Sequence, residues 1–125
     1  MRILVTGSRD WASIEFVCLA IAAVLPEGPV TIVHGACPSG ADLYADQFAK
    51  SIGLDVEPHP AEWDKYGKSA GFRRNQEMVD LGADICLAFI RDGSKGATHT
   101  ANAAEKAGIK TIRFTDPPTE EGDKR

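Results

Sequence analysis

The chain has few cysteines and no apolar run long enough for a membrane span. Cys18, Cys37 and Cys86 are scattered and form no C-x-x-C pair, which argues against a disulfide framework and against a zinc site. The longest apolar stretch, residues 16–25, is about half as long as a membrane span. A strand-like run begins at Met1, so we expect no signal peptide. These absences predict a cytoplasmic protein with reduced thiols and no membrane partner.

Basic residues are also in the minority. Fourteen Lys and Arg against eighteen Asp and Glu give a formal net charge of −4, which disfavours general binding of DNA or RNA. Seven of the fourteen nevertheless fall in or beside segments that we assign to one edge of a sheet: Arg9, Lys65, Lys68, Arg73, Arg74, Arg91 and Lys95. A positive patch on an acidic body suits a small anionic ligand, although charged loops are often simply solvated.

Apolar runs and helical patterns alternate along most of the 125 residues. We predict strands at residues 2–6, 30–34, 55–59, 85–90 and 110–114, and helices at 13–25, 41–52, 71–81 and 98–107. Residues 60–70 are expected to be irregular. This alternation is typical of an α/β, Rossmann-like, doubly wound domain: a five-stranded parallel sheet in the order 3-2-1-4-5 with helices on both faces. We place a single domain at residues 1–114 and a disordered C-terminal tail at 115–125.

Two glycine-rich turns connect predicted strands to predicted helices. The first turn, residues 35–42, reads Gly-Ala-Cys-Pro-Ser-Gly-Ala-Asp, and the second turn, residues 92–98, reads Asp-Gly-Ser-Lys-Gly-Ala-Thr. Such turns present unpaired backbone N–H groups and the positive end of a helix dipole to an anion. Neither fits the Walker or G-x-G-x-x-G pattern, and similar turns also occur for purely structural reasons.

The predicted strand order brings these turns together, because the winding direction reverses between strands one and four and ligands bind at that point. Cys37 fits small loop packing better than a nucleophilic role. Asp42 fits either a helix cap or a contact to a ligand hydroxyl. We expect no cofactor and no metal. The candidate ligand-binding residues are Gly7, Ser8, Arg9, Gly35, Ala36, Gly40, Ala41, Asp42, Trp63, Lys68, Arg73, Arg74, Asn75, Gly93, Ser94, Lys95, Gly96 and Thr98.

The chain resembles the SLOG superfamily, which takes its name from the DNA-processing DprA/SMF proteins and the LONELY GUY (LOG) nucleotide hydrolases. It is most similar to the YspA/YpsA-related members. The resemblance spans roughly residues 3–114 and rests on Thr6-Gly7-Ser8-Arg9 with Trp11, His34-Gly35-Ala36, Gly40-Ala41-Asp42, Trp63, Tyr66-Gly67-Lys68, Ala70-Gly71, Arg74-Asn75, Met78 and Gly93-Ser94-Lys95-Gly96. It implies a domain that binds a nucleotide or a nucleotide-derived ligand, of a kind often encoded by bacteria and phages.

One departure from LOG enzymes bears on chemistry. Those enzymes use a P-G-G-x-G-T-x-E-E segment and an upstream arginine to cleave the bond between base and ribose 5′-phosphate. Here His99 and Thr100 stand where the resemblance would place the two glutamates. The remaining candidates for catalysis are Arg74, Asp42 and His99, with Arg74 in the place of the arginine.

Three functions stay open from the sequence. The first is a binding module that senses or sequesters a nucleotide-derived ligand, since the glycine-rich turns are present and the glutamate pair is absent. The second is a LOG-like phosphoribohydrolase. The third is single-stranded DNA binding on Trp63 and Tyr66, which the acidic net charge disfavours. Separately, the apolar helix at residues 13–25 predicts a homodimer or higher homo-oligomer.

Overall fold

The computed structural model describes residues 1–116. Its strands are β1 (Arg2–Gly7), β2 (Thr31–His34), β3 (Asp55–Pro58), β4 (Ile85–Arg91) and β5 (Lys110–Asp116). Its helices are α1 (Ile14–Val24), α2 (Gly40–Ser51), α3 (Trp63–Tyr66), α4 (Ala70–Leu81) and α5 (Lys95–Lys106), with a short 3-10 helix at Gly67–Ser69 between α3 and α4.

All five strands are parallel and lie in the order β3-β2-β1-β4-β5. This order confirms the predicted Rossmann-like fold. Val5 of β1 pairs with His34 on one side and with Leu87 on the other. The central strands read as continuous apolar runs because both of their faces are covered. The carboxyl ends of β1 and β4 therefore meet where the winding direction reverses.

Alternate side chains of the central strands point to two separate hydrophobic layers. Ile3 and Val5 pack with α1 and α2, whereas Leu4 packs with α4 and α5. The alanines of α2, such as Ala45, are buried against the sheet, while Ile52, just past the helix, is 47% exposed. The two layers hold α2, α4 and α5 in place, so their first turns approach the same edge of the sheet.

The boundaries differ from the sequence predictions by more than one residue in three places. Residues 60–70 are not irregular, because α3 and the 3-10 helix occupy most of this segment. Helix α5 begins at Lys95 instead of 98, so part of the second turn is helical. Strand β5 continues to Asp116 because Thr115 and Asp116 pair with the end of β4. The remainder of the predicted tail lies outside the described residues.

Helix α1 provides a reference for the other helix N-termini. Its N-cap, Ser13, accepts a hydrogen bond from the Phe16 N–H at 3.1 Å, which satisfies one of the free donors of the first turn of α1.

The exposed fraction of Leu19, on the same helix, is 68%. Among residues 1–116 no helix has the length and apolar character required to cross a membrane.

Candidate functional site

A cavity of about 490 Å³ lies at the carboxyl edge of the sheet. This volume falls within the roughly 300–1,000 Å³ that is usual for small-molecule sites. The end of β1, both glycine-rich turns, α3 and one face of α4 form its walls. Arg9, Asp42 and Ser94, which the sequence predicted to converge from three segments, all line it.

The candidate ligand-binding residues divide into two groups. Those that line the cavity are Gly7, Ser8, Arg9, Gly35, Asp42, Trp63, Lys68, Arg74, Asn75, Ser94 and Gly96. Those that do not line it are Ala36, Gly40, Ala41, Arg73, Gly93, Lys95 and Thr98, together with the catalytic candidate His99.

Asp42 lies near the N-terminus of α2 and its carboxylate binds the backbone of residues 35–37. Its Oδ2 accepts the N–H of Gly35 at 3.1 Å and the N–H of Cys37 at 3.4 Å. The carboxylate therefore caps the loop between β2 and α2 and occupies the N–H groups that the sequence assigned to a ligand anion. Asp42 is 6% exposed, and its Oδ1 has no hydrogen-bond partner among the described residues.

Burial raises the pKa of the Asp42 carboxyl group, because loss of water disfavours the charged form. The nearby His34 and Arg74 and the two N–H donors lower this pKa, but burial outweighs them. A buried carboxylate with one unpaired oxygen is costly to the folded protein. Such a group at a cavity wall is a candidate for a functional site.

His34, at the end of β2, holds the loop between β2 and α2 in place through hydrogen bonds of both its ring nitrogens. Its Nδ1 accepts the N–H of Ala36 at 2.9 Å, and its Nε2 lies 3.0 Å from Oδ1 of Asp46. Because Nδ1 is an acceptor, the ring proton sits on Nε2 and is donated to Asp46. Lys50 pairs with the other oxygen of Asp46 at 2.9 Å. The ion pair between Asp46 and Lys50 thus also anchors a buried histidine.

Arg74 holds the first turn from α4. Its Nη1 donates to the carbonyls of Gly35 and His59, and its Nε donates to Oδ1 of Asn75 at 2.8 Å. Burial lowers the pKa of the guanidinium group, although arginine remains charged. A Cβ on Gly35 would lie 2.7 Å from Nη1. A side chain at position 35 would therefore displace the guanidinium group from its present position. Among the guanidinium nitrogens of Arg74, Nη2 has no hydrogen-bond partner among residues 1–116.

Close packing explains two further glycines of the predicted site. A Cβ on Gly7 would lie 2.3 Å from Cβ of Ala41, and one on Gly40 would lie 2.2 Å from the Ser8 carbonyl oxygen. Gly40 also has a φ of +72°, which other residues rarely adopt. Gly40 and Ala41 thus contribute to the site by packing the first turn against the end of β1, without lining the cavity.

Ser8 connects the two central strands beyond their ends. Its Oγ accepts the N–H of Arg91 at 2.7 Å, and its own N–H donates to the carbonyl of Phe89 at 2.8 Å. The side chain is 1% exposed. Its hydrogen bonds hold the edge of the cavity together, so Ser8 has a structural role there.

The second turn is left open. The N-cap of α5, Ser94, makes no side-chain capping bond. The first backbone hydrogen bond of the helix is made by the N–H of Thr98, which donates to the Ser94 carbonyl. The N–H groups of Lys95, Gly96 and Ala97 have no protein partner among the described residues. Ser94, Gly96 and Ala97 line the cavity, so the positive end of α5 lies at its wall.

Aromatic side chains lie on the α3 and α4 side of the cavity. Trp63 and Phe72 both line it and remain 49% and 46% exposed. Arg73 points elsewhere, with its guanidinium 4.4 Å from the centre of the Tyr66 ring. The His99 ring packs against Phe72 at 4.6 Å between centroids.

Sequence reasoning missed several wall residues. They are Thr6, Asp10, Gly71, Phe72, Met78 and Ala97, and also Cys37, which it had given a packing role. Helical spacing carried a usable signal, because Gly71, Asn75 and Met78 recur at intervals of four and three residues on one face of α4. Asn75 on this face donates to the Gly96 carbonyl at 3.4 Å and so ties α4 to the second turn.

Comparisons with known proteins agree with this architecture. Residues 1–66, which run from β1 through α3, match the family described as YAcAr: YspA, cpYpsA-related SLOG family. The gene 61 protein of Mycobacterium phage D29 is 44% identical over 124 residues, an alignment that covers 94% of this chain and 98% of that protein. Membership of this family suggests a nucleotide-related binding function. The chain belongs to the YspA, cpYpsA-related SLOG family.

Proposed function

We propose that the cavity binds a nucleotide or a nucleotide-derived anionic ligand and that the protein acts as a sensor or a sequestering module for it. The observation that carries this proposal is the open first turn of α5 at the cavity wall. Three consecutive N–H groups without protein partners, together with the helix dipole, form a favourable site for a phosphoryl group. We assign the phosphate of the ligand to this position.

Two exposed cations at the same cavity support the assignment. Arg9 and Lys68 line the walls and raise the local concentration of an anion. The only carboxylates among the wall residues are Asp10, which is exposed, and Asp42, which is bonded to the first turn. The anion is therefore expected at the second turn, away from Asp42.

The aromatic wall suits the base of the ligand. Trp63 and Phe72 leave about half of their surfaces exposed although they belong to a cavity. A planar ring that covers them removes this apolar surface from water, and stacking on an aromatic side chain is worth roughly 1–3 kcal/mol per base. Phosphate recognition at α5 and a stacked base would together define a nucleotide.

The test is a thermal-shift and calorimetric screen with AMP, GMP, CMP, UMP, ribose 5-phosphate and inorganic phosphate. We expect at least one nucleotide to raise the melting temperature in a concentration-dependent manner and to bind more tightly than inorganic phosphate. Lys68→Ala should weaken that binding, whereas Lys106→Ala, at the other end of α5, should not. Absence of stabilisation by every compound would contradict the proposal.

A second candidate function is hydrolysis of the bond between base and ribose 5-phosphate. The buried Asp42 favours it, because a carboxylate beside the developing positive charge of the sugar stabilises the transition state. The other residues that the hydrolysis would use are less well placed. His99 does not line the cavity, and Thr100 is fully buried with its Oγ1 donating to the Gly96 carbonyl.

Chromatographic detection of free base after incubation with each monophosphate tests the hydrolase directly. Turnover that Asp42→Asn abolishes would establish it. Turnover that survives Asp42→Asn, Arg74→Ala and His99→Ala would contradict these roles.

We also propose that the protein is a cytoplasmic homo-oligomer. The exposed apolar side chains of α1, above all Leu19 and Ile14, support an association face. Light scattering at micromolar concentration should give at least a dimeric mass, and Leu19→Glu should lower it. A monomeric mass for the wild type would contradict this assignment.

A further inference from the structure

The two oxygens of the Asp42 carboxylate differ in their surroundings. Oδ2 accepts two backbone N–H groups, whereas Oδ1 is buried without any hydrogen-bond partner among residues 1–116. Arg74 does not supply the missing donor, because its Nε and Nη1 donate to Asn75 and to backbone carbonyls and no hydrogen bond joins its remaining Nη2 to Oδ1. Asp42 lines the cavity, so one of the wall residues of the free protein carries an unsatisfied, buried acceptor.

The chemistry of this oxygen restricts what can occupy the space beside it. A carboxylate oxygen repels phosphate and needs a hydrogen-bond donor, and a donor to a charged group contributes more than a donor to a neutral one. The ligand proposed above offers two kinds of donor, the hydroxyl groups of its ribose and the amino groups of some bases. The aromatic side chains Trp63 and Phe72 provide a separate place for the base, which leaves the sugar for Asp42.

We propose that Asp42 is a specificity-determining residue, and that its Oδ1 accepts a hydrogen bond from a ribose hydroxyl group, so that the cavity selects ribonucleotides over deoxyribonucleotides. This inference rests on the proposed nucleotide-binding function. A site built to bond a hydroxyl discriminates strongly against the analogue that lacks it. We expect the loss of one charged hydrogen bond to weaken binding about ten- to a hundredfold.

Calorimetry on the full chain tests this with matched ligands. AMP and UMP are each compared with their 2′-deoxy and 3′-deoxy forms, which differ by a single hydroxyl group. We expect one of the two deoxy forms to bind at least about tenfold more weakly than the ribonucleotide, for both bases. UMP has no exocyclic amino group, so equal affinities of the ribo and deoxy forms together with a preference for AMP over UMP would point to the base amine as the donor and overturn the inference.

Asp42→Asn provides the residue-level test, because its carbonyl oxygen can still accept the N–H groups of Gly35 and Cys37 while an NH₂ group replaces Oδ1. We expect this variant to lose the preference for ribonucleotides, with a ribo-to-deoxy ratio within about twofold of one. The matched control is Asp80→Asn, a charge removal on the exposed side of α4, which should retain the wild-type ratio. Asp42→Glu is the fallback if the asparagine variant does not fold.

The outcomes separate this inference from the function on which it rests. Equal affinity of wild type for ribo and deoxy forms would overturn the role of Asp42 and leave nucleotide binding intact. A preference for ribonucleotides that persists in Asp42→Asn would also overturn the role of Asp42. So would the structure of a complex in which only a water contacts Oδ1. Failure of every ribo and deoxy nucleotide to bind would overturn both.

Discussion

The two glycine-rich turns have similar sequences but opposite hydrogen-bonding states. In the first turn, residues 35–42, the N–H groups of Gly35, Ala36 and Cys37 are bonded to Asp42 and His34. In the second turn, residues 92–98, the N–H groups at the start of α5 have no protein partner among the described residues. The first turn is closed by the protein's own carboxylate, and the second is open to an anion from outside.

This difference shows that a glycine-rich strand-to-helix turn does not define an anion site by itself. What decides is whether a neighbouring side chain already satisfies the donors. Asp42 lies seven residues beyond Gly35 and reaches back to it, whereas no carboxylate follows Gly93 within the first turn of α5. The glycines differ in the same way, because those of the first turn and the end of β1 are packed against neighbouring atoms and Gly93 and Gly96 have open space around them.

The largest expected effect is on the stability of the closed turn. Gly40→Ala places a Cβ against the Ser8 carbonyl at a positive φ, so we expect a loss of roughly 3 kcal/mol or more in the free energy of unfolding. Gly96→Ala, in open space at the start of α5, should change stability by no more than about 1 kcal/mol, in the stabilising direction. Urea denaturation of both variants measures the contrast. Similar losses would mean that the two turns are packed alike.

The next effect concerns the histidine beneath the closed turn. His34→Ala leaves the Ala36 N–H and the Asp46 carboxylate without their partner in a buried site, and we expect a loss of about 2 kcal/mol. His34→Asn keeps an acceptor where Nδ1 was and should recover part of that loss. Denaturation midpoints of the two variants check this order. Equal losses would show that the ring's volume matters and that its hydrogen bond to the turn does not.

The open turn is tested by removing one donor. Proline is well tolerated at the first position of a helix, and the ψ of 127° at Ser94 suits a residue before proline. Lys95→Pro should therefore fold normally and bind the nucleotide identified in the screen about tenfold more weakly, because it lacks both the N–H and the charge. Lys95→Ala removes the charge alone and should bind within about threefold of wild type. Comparable affinities of the two variants would argue against a backbone contact.

The smallest effect is a gain in stability from removing the buried charge. Since burial raises the pKa of Asp42, the folded state holds its proton to higher pH than the unfolded state does. Stability is therefore lost as pH rises from the ordinary range of a carboxyl group to the raised value. Asp42→Asn has no such proton, so at neutral pH we expect it to be more stable than wild type by on the order of 1 kcal/mol.

The pH profile of this last comparison separates Asp42 from its neighbours. The neighbouring groups that affect its pKa, His34 and Arg74, are present in both proteins. The difference in melting temperature should widen as pH is raised from 4 and should level off above the raised pKa. A difference that stays constant over this range would show that Asp42 titrates normally in the folded protein.

Much of the fold was predictable from the sequence, because it depends on local patterns. The continuous apolar runs of β1 and β4, with helical patterns between the strands, were sufficient for the strand order. Boundaries were less predictable. The segment that contains Trp63 and Tyr66 has no apolar periodicity, yet it forms α3, and the start of α5 at Lys95 is concealed by the glycine that follows it.

The location of the candidate site was predictable from the sequence, but the direction of its side chains was not. Topology alone brings Arg9, Asp42 and Ser94 to one edge of the sheet, and all three line the cavity. The direction of each side chain depends on contacts between segments distant in sequence. Arg73 and Arg74 are adjacent and equally basic, yet only Arg74 lines the main cavity, because Gly35 leaves room for its guanidinium group.

The sequence by itself therefore determined the parallel sheet, the order of its strands and the edge at which a ligand is expected, because these follow from apolar periodicity and the handedness of crossovers. Only the tertiary structure decided which of the two turns is open. That outcome depends on the reach of the Asp42 carboxylate to N–H groups on another segment and on the absence of such a group beside α5 within residues 1–116. Hydrogen bonds across space, not the residues of a turn, distinguish a closed turn from one that can hold an anion.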